Sequence, residues 1–508
     1  MRTYIRYSRP LKAVQRTMST NRTPMNGLEG IFDAVKGSLS SLRTIFYFKE
    51  GEIDVLQHPV EFYDTLKQKI AAANDRIFLA SLYLGRTEHE VIACLDDALK
   101  AKPHLRISLL VDGLRGTRET PNPCSASLLA KLTKEHGDRV EVRLYMTPEY
   151  TGWKRALFPK RFNEGIGLQH MKIYGFDDEV ILSGANLSND YFTNRQDRYY
   201  LFKSKHFADY YFKMHNLISK MSYQAKYSNT KQSYMLYWPK NNATIEPRLD
   251  KHKFVTQASE LLSKFLTATH ENGMEGVQYL DDYPTIVYPI SQFTPLFKKN
   301  NDFSTEKPSI LRLLSSIPSS ETSWAFTAGY FNILPEIKKR LLDSPSCVGK
   351  IITAAPTANG FYQSRGISKY LPDAYLYLAQ KFLKSVHAEG KSDTISLYEW
   401  QKGVVNQPGG WSYHAKGIWI SDGCDEDSRP VVTVVGSSNY TRRAYSSDLE
   451  TNAIILTTDD RLRAAMGAEL QNILRHTKKI TLNDFTNDPQ RYVKPGVRAA
   501  TEVLGKKL

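Results

Sequence analysis

The chain carries one pattern twice, and that repetition constrains its fold more than any bulk property does. In the first copy, a helical stretch at 60–73 precedes the apolar run RIFLASLYL (Arg76–Leu84). A helical segment at 88–100 follows, and then the strand-like RISLLVD (Arg106–Asp112). In the second copy, a helical stretch at 309–316 precedes WAFTAGYF (Trp324–Phe331), a helix at 335–342 follows, and GKIITA (Gly349–Ala354) closes the set. Strands and helices alternating at these lengths build α/β layers on a mostly parallel sheet. The copies also keep step at long range: Arg76 lies 94 positions before His170, and Trp324 lies 90 before His414. The expected fold is two similar α/β lobes, each a mixed, mostly parallel sheet flanked by helices, related by a pseudo-twofold axis.

Each copy ends in the same polar set. The first contains GLQHMKIYGFDDEVILSGANLSNDYFTNRQDRY, with His170, Lys172 two residues on, and Asp177 completing H-x-K-x4-D. A period of two puts His170 and Lys172 on one face of a strand. The apolar strand Val180–Leu182 leads to Gly184 and Asn186, and Asp197 follows Asn186 by eleven positions. The second copy reads SYHAKGIWISDGCDEDSRPVVTVVGSSNYTRRAYSSDLETNAII. It repeats His414 and Lys416, an apolar strand at Val431–Val435, then Gly436, Ser437 and Asn439, with Glu450 again eleven positions later. A single histidine at a strand end is ordinarily structural. Two copies with matching amide and carboxylate reverse that reading.

These residue types suit phosphodiester chemistry. A phosphodiester repels anionic nucleophiles, so its site needs cations around the phosphoryl oxygens and a nucleophile that can be neutral. Lys172 and Lys416 supply charge, and the amides of Asn186 and Asn439 donate hydrogen bonds to the same oxygens. One imidazole attacks phosphorus. The other protonates the leaving group and then deprotonates the incoming nucleophile. Asp197 and Glu450 are spaced to fix the ring tautomers. No metal or other cofactor is required by this scheme, although it leaves room for stimulation by a divalent ion.

On these residues the chain resembles the phospholipase D superfamily across both copies. The resemblance implies that Asp177 supports the fold away from the reacting atoms. The second copy departs from the pattern: Ser421 stands at the motif position, Asp422 comes one place late, and about nine extra residues (Ser421–Arg429) follow. The loop at 422–427 is read as a solvated acidic hairpin. Around the first motif the chain is similar to the eukaryotic, mitochondrial phosphatidylglycerophosphate synthases of that superfamily. That similarity implies CDP-diacylglycerol and sn-glycerol 3-phosphate as substrates, a role in cardiolipin synthesis, and no nucleic-acid partner. A phosphatidylserine synthase, a nuclease of the same superfamily and an inactive lipid-binding scaffold remain the alternatives.

The rest of the chain adds setting. The formal net charge is +15, which favours anionic partners without choosing among them. The first acidic residue is Glu29, after Arg2, Arg6, Arg9, Lys12, Arg16 and Arg22. An arginine-rich, acid-free, amphipathic start marks a mitochondrial transit peptide, with Pro10 interrupting any long helix. The expected segments are a leader at 1–35, a first lobe at 36–222, a connector at 223–303 and a second lobe at 304–508. No run reaches the ~18 apolar residues needed to span a bilayer, so attachment to the matrix face of the mitochondrial inner membrane is expected to be peripheral. Trp153, Lys154, Arg155, Phe158, Lys160 and Arg161 interleave rings and cations as an anionic lipid surface would favour. Arg195, Arg198, Arg442 and Arg443 are candidates for the acceptor's phosphate. Four scattered cysteines argue against a disulfide framework and fit a reducing compartment.

Overall fold

The computed structural model describes residues 27–151, 165–270, 282–318, 320–425 and 427–505. The chain enters through helix Gly27–Ser38 and strand β1 (Phe46–Phe48), both packed in the C-terminal half. The N-terminal half contributes β2 (Ile53–Leu56), β3 (Arg76–Ser81), β4 (Arg106–Asp112), β5 (Val140–Tyr145), β6 (Ile173–Phe176) and β7 (Glu179–Ser183). It continues through β8 (Arg195–Gln196), β9 (Tyr199–Lys203), β10 (Tyr223–Ser228) and β11 (Ser233–Tyr237). The C-terminal half contributes β12 (Thr285–Gln292), β13 (Ser323–Ala328), β14 (Val348–Ala354), β15 (Ile395–Trp400) and β16 (Ser412–Tyr413). It closes with β17 (Lys416–Ser421), β18 (Pro430–Gly436), β19 (Glu450–Thr457) and β20 (Thr477–Ile480).

Two nine-stranded sheets result. The first runs β11-β10-β5-β4-β3-β6-β7-β9-β2, the second β20-β15-β14-β13-β17-β18-β19-β12-β1. Eight strands correspond in order, from β10 to β2 and from β20 to β12. β8 and β16 form a separate parallel pair; within the two large sheets parallel pairing is confined to β3–β4–β5 and to β13–β14–β15, and the other pairs are antiparallel. The expectation of mostly parallel sheets therefore holds only at those strands. There, helices such as His89–Ala101 cross over between parallel neighbours, whereas β6–β7 and β17–β18 are hairpins and must be antiparallel. Burial on both faces explains why β4 carries Ile107, Leu109, Leu110 and Val111 without a polar–apolar alternation.

The sheets meet face to face. Phe78, Val180 and Tyr200 of the first lobe share a core with Val287, Val435 and Ile455 of the second, together with Phe207, Tyr211 and Met214 of helix Lys205–Ser219. Each such side chain contributes about 1.5–3 kcal/mol on burial, so the lobes form one body and hold the cleft between them fixed.

Three segment boundaries move. Helix Gly27–Ser38 buries Ile31, Phe32 and Val35 in the second lobe's core, so the span expected as leader ends in folded structure; residues 1–26 lie outside the described residues. The connector is divided between the lobes: β10 and β11 extend the first sheet, while β12 pairs with β19 and corresponds to β2. β12 is buried along its whole length, so it shows no alternation, and the tyrosine-rich composition at 278–288 overlaps its start. Cys347 and Cys424 form a disulfide, with Cα atoms 6.2 Å apart. That corrects the reading of four separate thiols for two of them, since a separation of 77 residues conceals the contact. Among the described residues, no helix is long and apolar enough to cross a membrane.

Candidate active site

The two histidines sit where the lobes exchange short segments. Gln169 bridges to Leu449, and the backbone N–H of His170 donates to the Leu449 carbonyl at 2.9 Å. In the mirror arrangement β8 pairs with β16, and the N–H of His414 donates to the Gln196 carbonyl, also at 2.9 Å. Leu449 immediately precedes Glu450 and Gln196 immediately precedes Asp197, so each exchange delivers a carboxylate to the opposite lobe's imidazole. His170 Nδ1 lies 2.9 and 3.1 Å from the Glu450 oxygens. His414 Nδ1 lies 2.6 Å from Asp197 Oδ2. Each lobe therefore supplies the histidine of one pair and the carboxylate of the other. Neither half-site can be complete in an isolated lobe.

The lysines stay close to their histidines. Lys172 Nζ donates to the His170 carbonyl at 2.6 Å, and Lys416 Nζ donates to the His414 carbonyl at 2.8 Å. Lys416 also lies 2.7 Å from His414 Nδ1 and 3.7 Å from Asp197. Burial, opposed by the charge of Glu450, sets Lys172 down at about 7. Burial opposed by Asp197 sets Lys416 down at about 8. Burial drives both imidazoles well below their ordinary value, helped by the neighbouring lysines, and pushes Glu450 up to about 7. These directions leave neutral rings whose Nδ1–H donates to a carboxylate, with Nε2 as the free base. His170 Nε2 hydrogen-bonds to nothing among the described residues.

The asparagines add two further features. The side-chain oxygens of Asn186 and Asn439 are buried without hydrogen-bond partners. Asn186 Nδ2 donates to the Tyr191 hydroxyl at 3.1 Å, and that hydroxyl lies 3.4 Å from His414 Nε2. An amide oxygen accepts, so a group that brings an O–H or N–H would satisfy it.

The remaining expected residues sort by position. Asp177 stands in a left-handed turn (φ 49°) and accepts the backbone N–H groups of Asn74, Asp75 and Arg76 at 2.8–2.9 Å. It therefore braces the β6–β7 hairpin against β3 and touches no reacting group. Asp422 takes no such place; it accepts from the Arg463 guanidinium and from the Arg429 N–H at 3.2 Å, so the loop read as solvated is anchored at its start. Arg198 is corrected: it is buried, its guanidinium donating to Glu469 at 2.8 and 2.9 Å and to the Val434 carbonyl and lying over Trp419, which leaves nothing for a substrate. Arg442 is exposed, with Glu336 as a charged neighbour, and stands off the site. Arg443 pairs with Asp448 at 3.1 Å, and both charges act on His170. Arg195 lies beside His414 and depresses it. Residues 153–161, the expected membrane contact, lie outside the described residues.

Several neighbours escaped the motif reading. Asp448 accepts the Leu168 N–H at 2.9 Å, and Asp112, at the end of β4, accepts the Gln169 N–H at 2.9 Å, so carboxylates fix the backbone that presents His170. Tyr191 and Tyr330 flank His414 edge-on at 5.2 and 5.4 Å. Tyr330 follows the end of β13, and strand C-terminal ends are where α/β sheets place ligands. That was the available signal.

No protein-family model matches the chain. A solved phosphatidylserine synthase of Haemophilus influenzae superposes with a TM-score of 0.67 at 20% identity, covering 94% of this chain and 97% of that one. The chain thus has a two-lobed, phospholipase-D-like fold, with a histidine and a carboxylate exchanged between the lobes. Among curated relatives, the CDP-diacylglycerol–glycerol-3-phosphate 3-phosphatidyltransferase of Saccharomyces pastorianus is 57% identical over 500 residues, 97% of this chain and 95% of the relative. The enzymes of the same name from Saccharomyces cerevisiae and, as a mitochondrial protein, Homo sapiens are 57% and 30% identical, covering 93% and 90% of this chain and 91% and 83% of those relatives. The chain belongs to the CDP-diacylglycerol–glycerol-3-phosphate 3-phosphatidyltransferase family.

Proposed function

We propose that this chain transfers the phosphatidyl group of CDP-diacylglycerol to sn-glycerol 3-phosphate through a phosphohistidine, releasing CMP. The observation that carries the reading is the pair of exchanged dyads, which aim two neutral imidazoles into one cleft between two lysines. In the first step His170 Nε2 bonds to the phosphatidyl phosphorus as the bond to CMP breaks, and the electron pair leaves on the CMP phosphate as a stable anion. In the second, the glycerol hydroxyl attacks that phosphorus, its proton passes to His414, and the N–P bond breaks to restore His170. Lys172 and Lys416 offset charge on the phosphoryl oxygens, with the asparagine amides as donors. One proton is released per turnover. No metal enters the scheme.

The setting follows as part of the same proposal. The relatives named as mitochondrial and the basic, acid-free start support a mitochondrial site, peripherally bound at the matrix face of the inner membrane. The product there is an intermediate of cardiolipin synthesis.

The test is CMP release from CDP-diacylglycerol in detergent micelles with sn-glycerol 3-phosphate, serine or no acceptor. Release that requires glycerol 3-phosphate and is lost in both His170→Ala and His414→Ala supports the assignment. Serine-dependent release transfers it to phosphatidylserine synthesis. Without acceptor, a base-stable, acid-labile phosphatidyl adduct is expected on the wild type and His414→Ala, and its presence on His170→Ala overturns the choice of nucleophile.

A further inference from the structure

Beside His414 and Lys416 the lobes bring together a second cation, Arg195, and a wall of rings that lines an open recess between them. The Arg195 guanidinium donates through Nε to Ser412 Oγ at 2.8 Å and through Nη2 to Asp190 at 3.1 Å, while Nη1 donates to nothing among the described residues. It lies over the Tyr191 ring at 4.5 Å. From the other lobe, Tyr330 edges against His414 and continues into Tyr375 and Phe361, with centroids 5.6 and 5.4 Å away. Gly360 closes the recess by keeping its backbone near both. A Cβ there would lie 3.2 Å from the Tyr330 hydroxyl and 3.5 Å from Arg195 Nη2. Tyr330, Phe361 and Arg195 are all partly open to solvent.

We propose that this recess is one phosphate-monoester subsite used twice in each turnover, first by the departing CMP and then by the entering glycerol 3-phosphate. The inference rests on the transferase reading above. A double displacement that returns His170 to its free state brings leaving group and acceptor to the same face of phosphorus, opposite the attacking nitrogen. The general base for the acceptor must stand on that face, and His414 does, with Arg195 next to it. Both molecules present a phosphate monoester, which a guanidinium with an unused N–H can grip. Only CMP carries a base, and stacking a base on Tyr330 and its neighbours suits such a wall. One subsite thus explains why a cation and rings occur together on the His414 side.

The experiment uses the full chain in detergent and compares Arg195→Gln, Arg195→Lys and Tyr330→Leu with the wild type. CMP inhibition is measured against varied glycerol 3-phosphate, and direct binding of CMP, inorganic phosphate and glycerol 3-phosphate by calorimetry. We expect CMP to compete with glycerol 3-phosphate. Arg195→Gln should weaken all three ligands together by about tenfold or more, as loss of a charged hydrogen-bond donor does, and Arg195→Lys should recover part of it. Tyr330→Leu should weaken CMP by a similar factor and leave phosphate and glycerol 3-phosphate within about twofold. CMP inhibition that glycerol 3-phosphate cannot relieve, or loss of one phosphate ligand alone in Arg195→Gln, overturns the shared subsite. Binding is read without turnover, so an absence of transferase activity in the wild type would count against the proposed reaction and not against the subsite.

Discussion

The two half-sites use the same exchange and finish it differently. At His170 the partner is Glu450, a longer carboxylate that also accepts a hydrogen bond from Ser437 Oγ. At His414 the partner is the shorter Asp197, and the residue in the place of Ser437 is Gly184. A Cβ on Gly184 would lie 2.5 Å from Asp197 Oδ1 and 2.8 Å from Lys416 Nζ. The short carboxylate reaches its histidine because the strand that faces it carries no side chain, and Lys416 enters the space left. The long carboxylate needs a hydroxyl to hold its second oxygen. The difference teaches that equal Asn-to-carboxylate spacing preserved the position of the charge, while its support was rebuilt on each side. The larger support around His170 goes with the ring assigned to covalent bonding.

Removing either carboxylate's charge is the severest test of the exchange. Glu450→Gln and Asp197→Asn should each lower kcat by roughly a hundred- to ten-thousand-fold, because the imidazole loses its orienting acceptor and its tautomer. Burst measurements then separate the two sides: Glu450→Gln should slow CMP formation, and Asp197→Asn should slow acceptor-dependent turnover. If both variants slow the same step equally, the half-sites are functionally equivalent and the assigned roles fail.

The next largest effect concerns how each carboxylate arm is anchored. After Asp197 comes Arg198, whose guanidinium crosses into the second lobe to Glu469, Thr433 and the Val434 carbonyl. After Glu450 comes Thr451, whose hydroxyl donates to the Ile290 carbonyl at 3.2 Å. Arg198→Gln leaves Glu469 buried without its charge partner, which costs about 3–5 kcal/mol of stability. Thr451→Val removes one neutral hydrogen bond, worth about 1 kcal/mol. Urea unfolding of both variants measures the contrast, and comparable losses would mean that the arms are anchored alike.

Sequence reading reached the chemistry sooner than it reached the architecture. The duplicated His, Lys, Asn and carboxylate were legible because reacting groups need particular atoms at particular spacings. The exchange of Asp197 and Glu450 was not legible, since spacing along the chain is the same whether a carboxylate serves its own lobe's histidine or the other's. Arg198 shows the opposite failure. It sits next to a motif residue and carries the right charge, yet in the link between β8 and β9 it turns into the core, against Glu469 and Trp419. The strands of the first lobe were clear as apolar runs, whereas β12 was obscured by a tyrosine-rich stretch that reads as a linker composition, although Tyr288 within it is buried. Helix Gly27–Ser38 followed a basic stretch whose composition masked the buried Ile31, Phe32 and Val35.

A smaller effect should separate Gly184 from Ser437 directly. Gly184→Ser places new atoms against Asp197 and Lys416, and a displacement near 1 Å in such a site lowers kcat by about a hundredfold. Ser437→Gly, the reciprocal change, removes one donor to a charged acceptor and should cost about tenfold or somewhat more. Steady-state kcat with near-unchanged unfolding midpoints is the readout. A tolerated Gly184→Ser would show that the His414 side has room the contacts deny.

The smallest effect tests a carboxyl that only the Glu450 side carries. Glu306 is fully buried, and its oxygens face Ser438, Tyr445 and Asn452 without reaching hydrogen-bond geometry. Burial, then the charge of Glu450, pushes it up to about 8 from an ordinary value of 4.5. The folded chain thus holds a proton there that the unfolded chain gives up near pH 4.5, so the stabilising contribution is complete below that pH and is lost progressively as pH rises toward about 8. Glu306→Gln removes the titration while keeping the shape. Its stability should vary less than the wild type's between pH 5 and pH 8, and the variant should be the more stable of the two at the upper end. The same neutral amide removes a nearby ionisable acid from Glu450, so at alkaline pH the variant should also keep more of its CMP-forming burst. Parallel stability profiles for the two proteins would mean that Glu306 carries its proton no more tightly folded than unfolded, and that the asymmetry between the half-sites ends at Ser437.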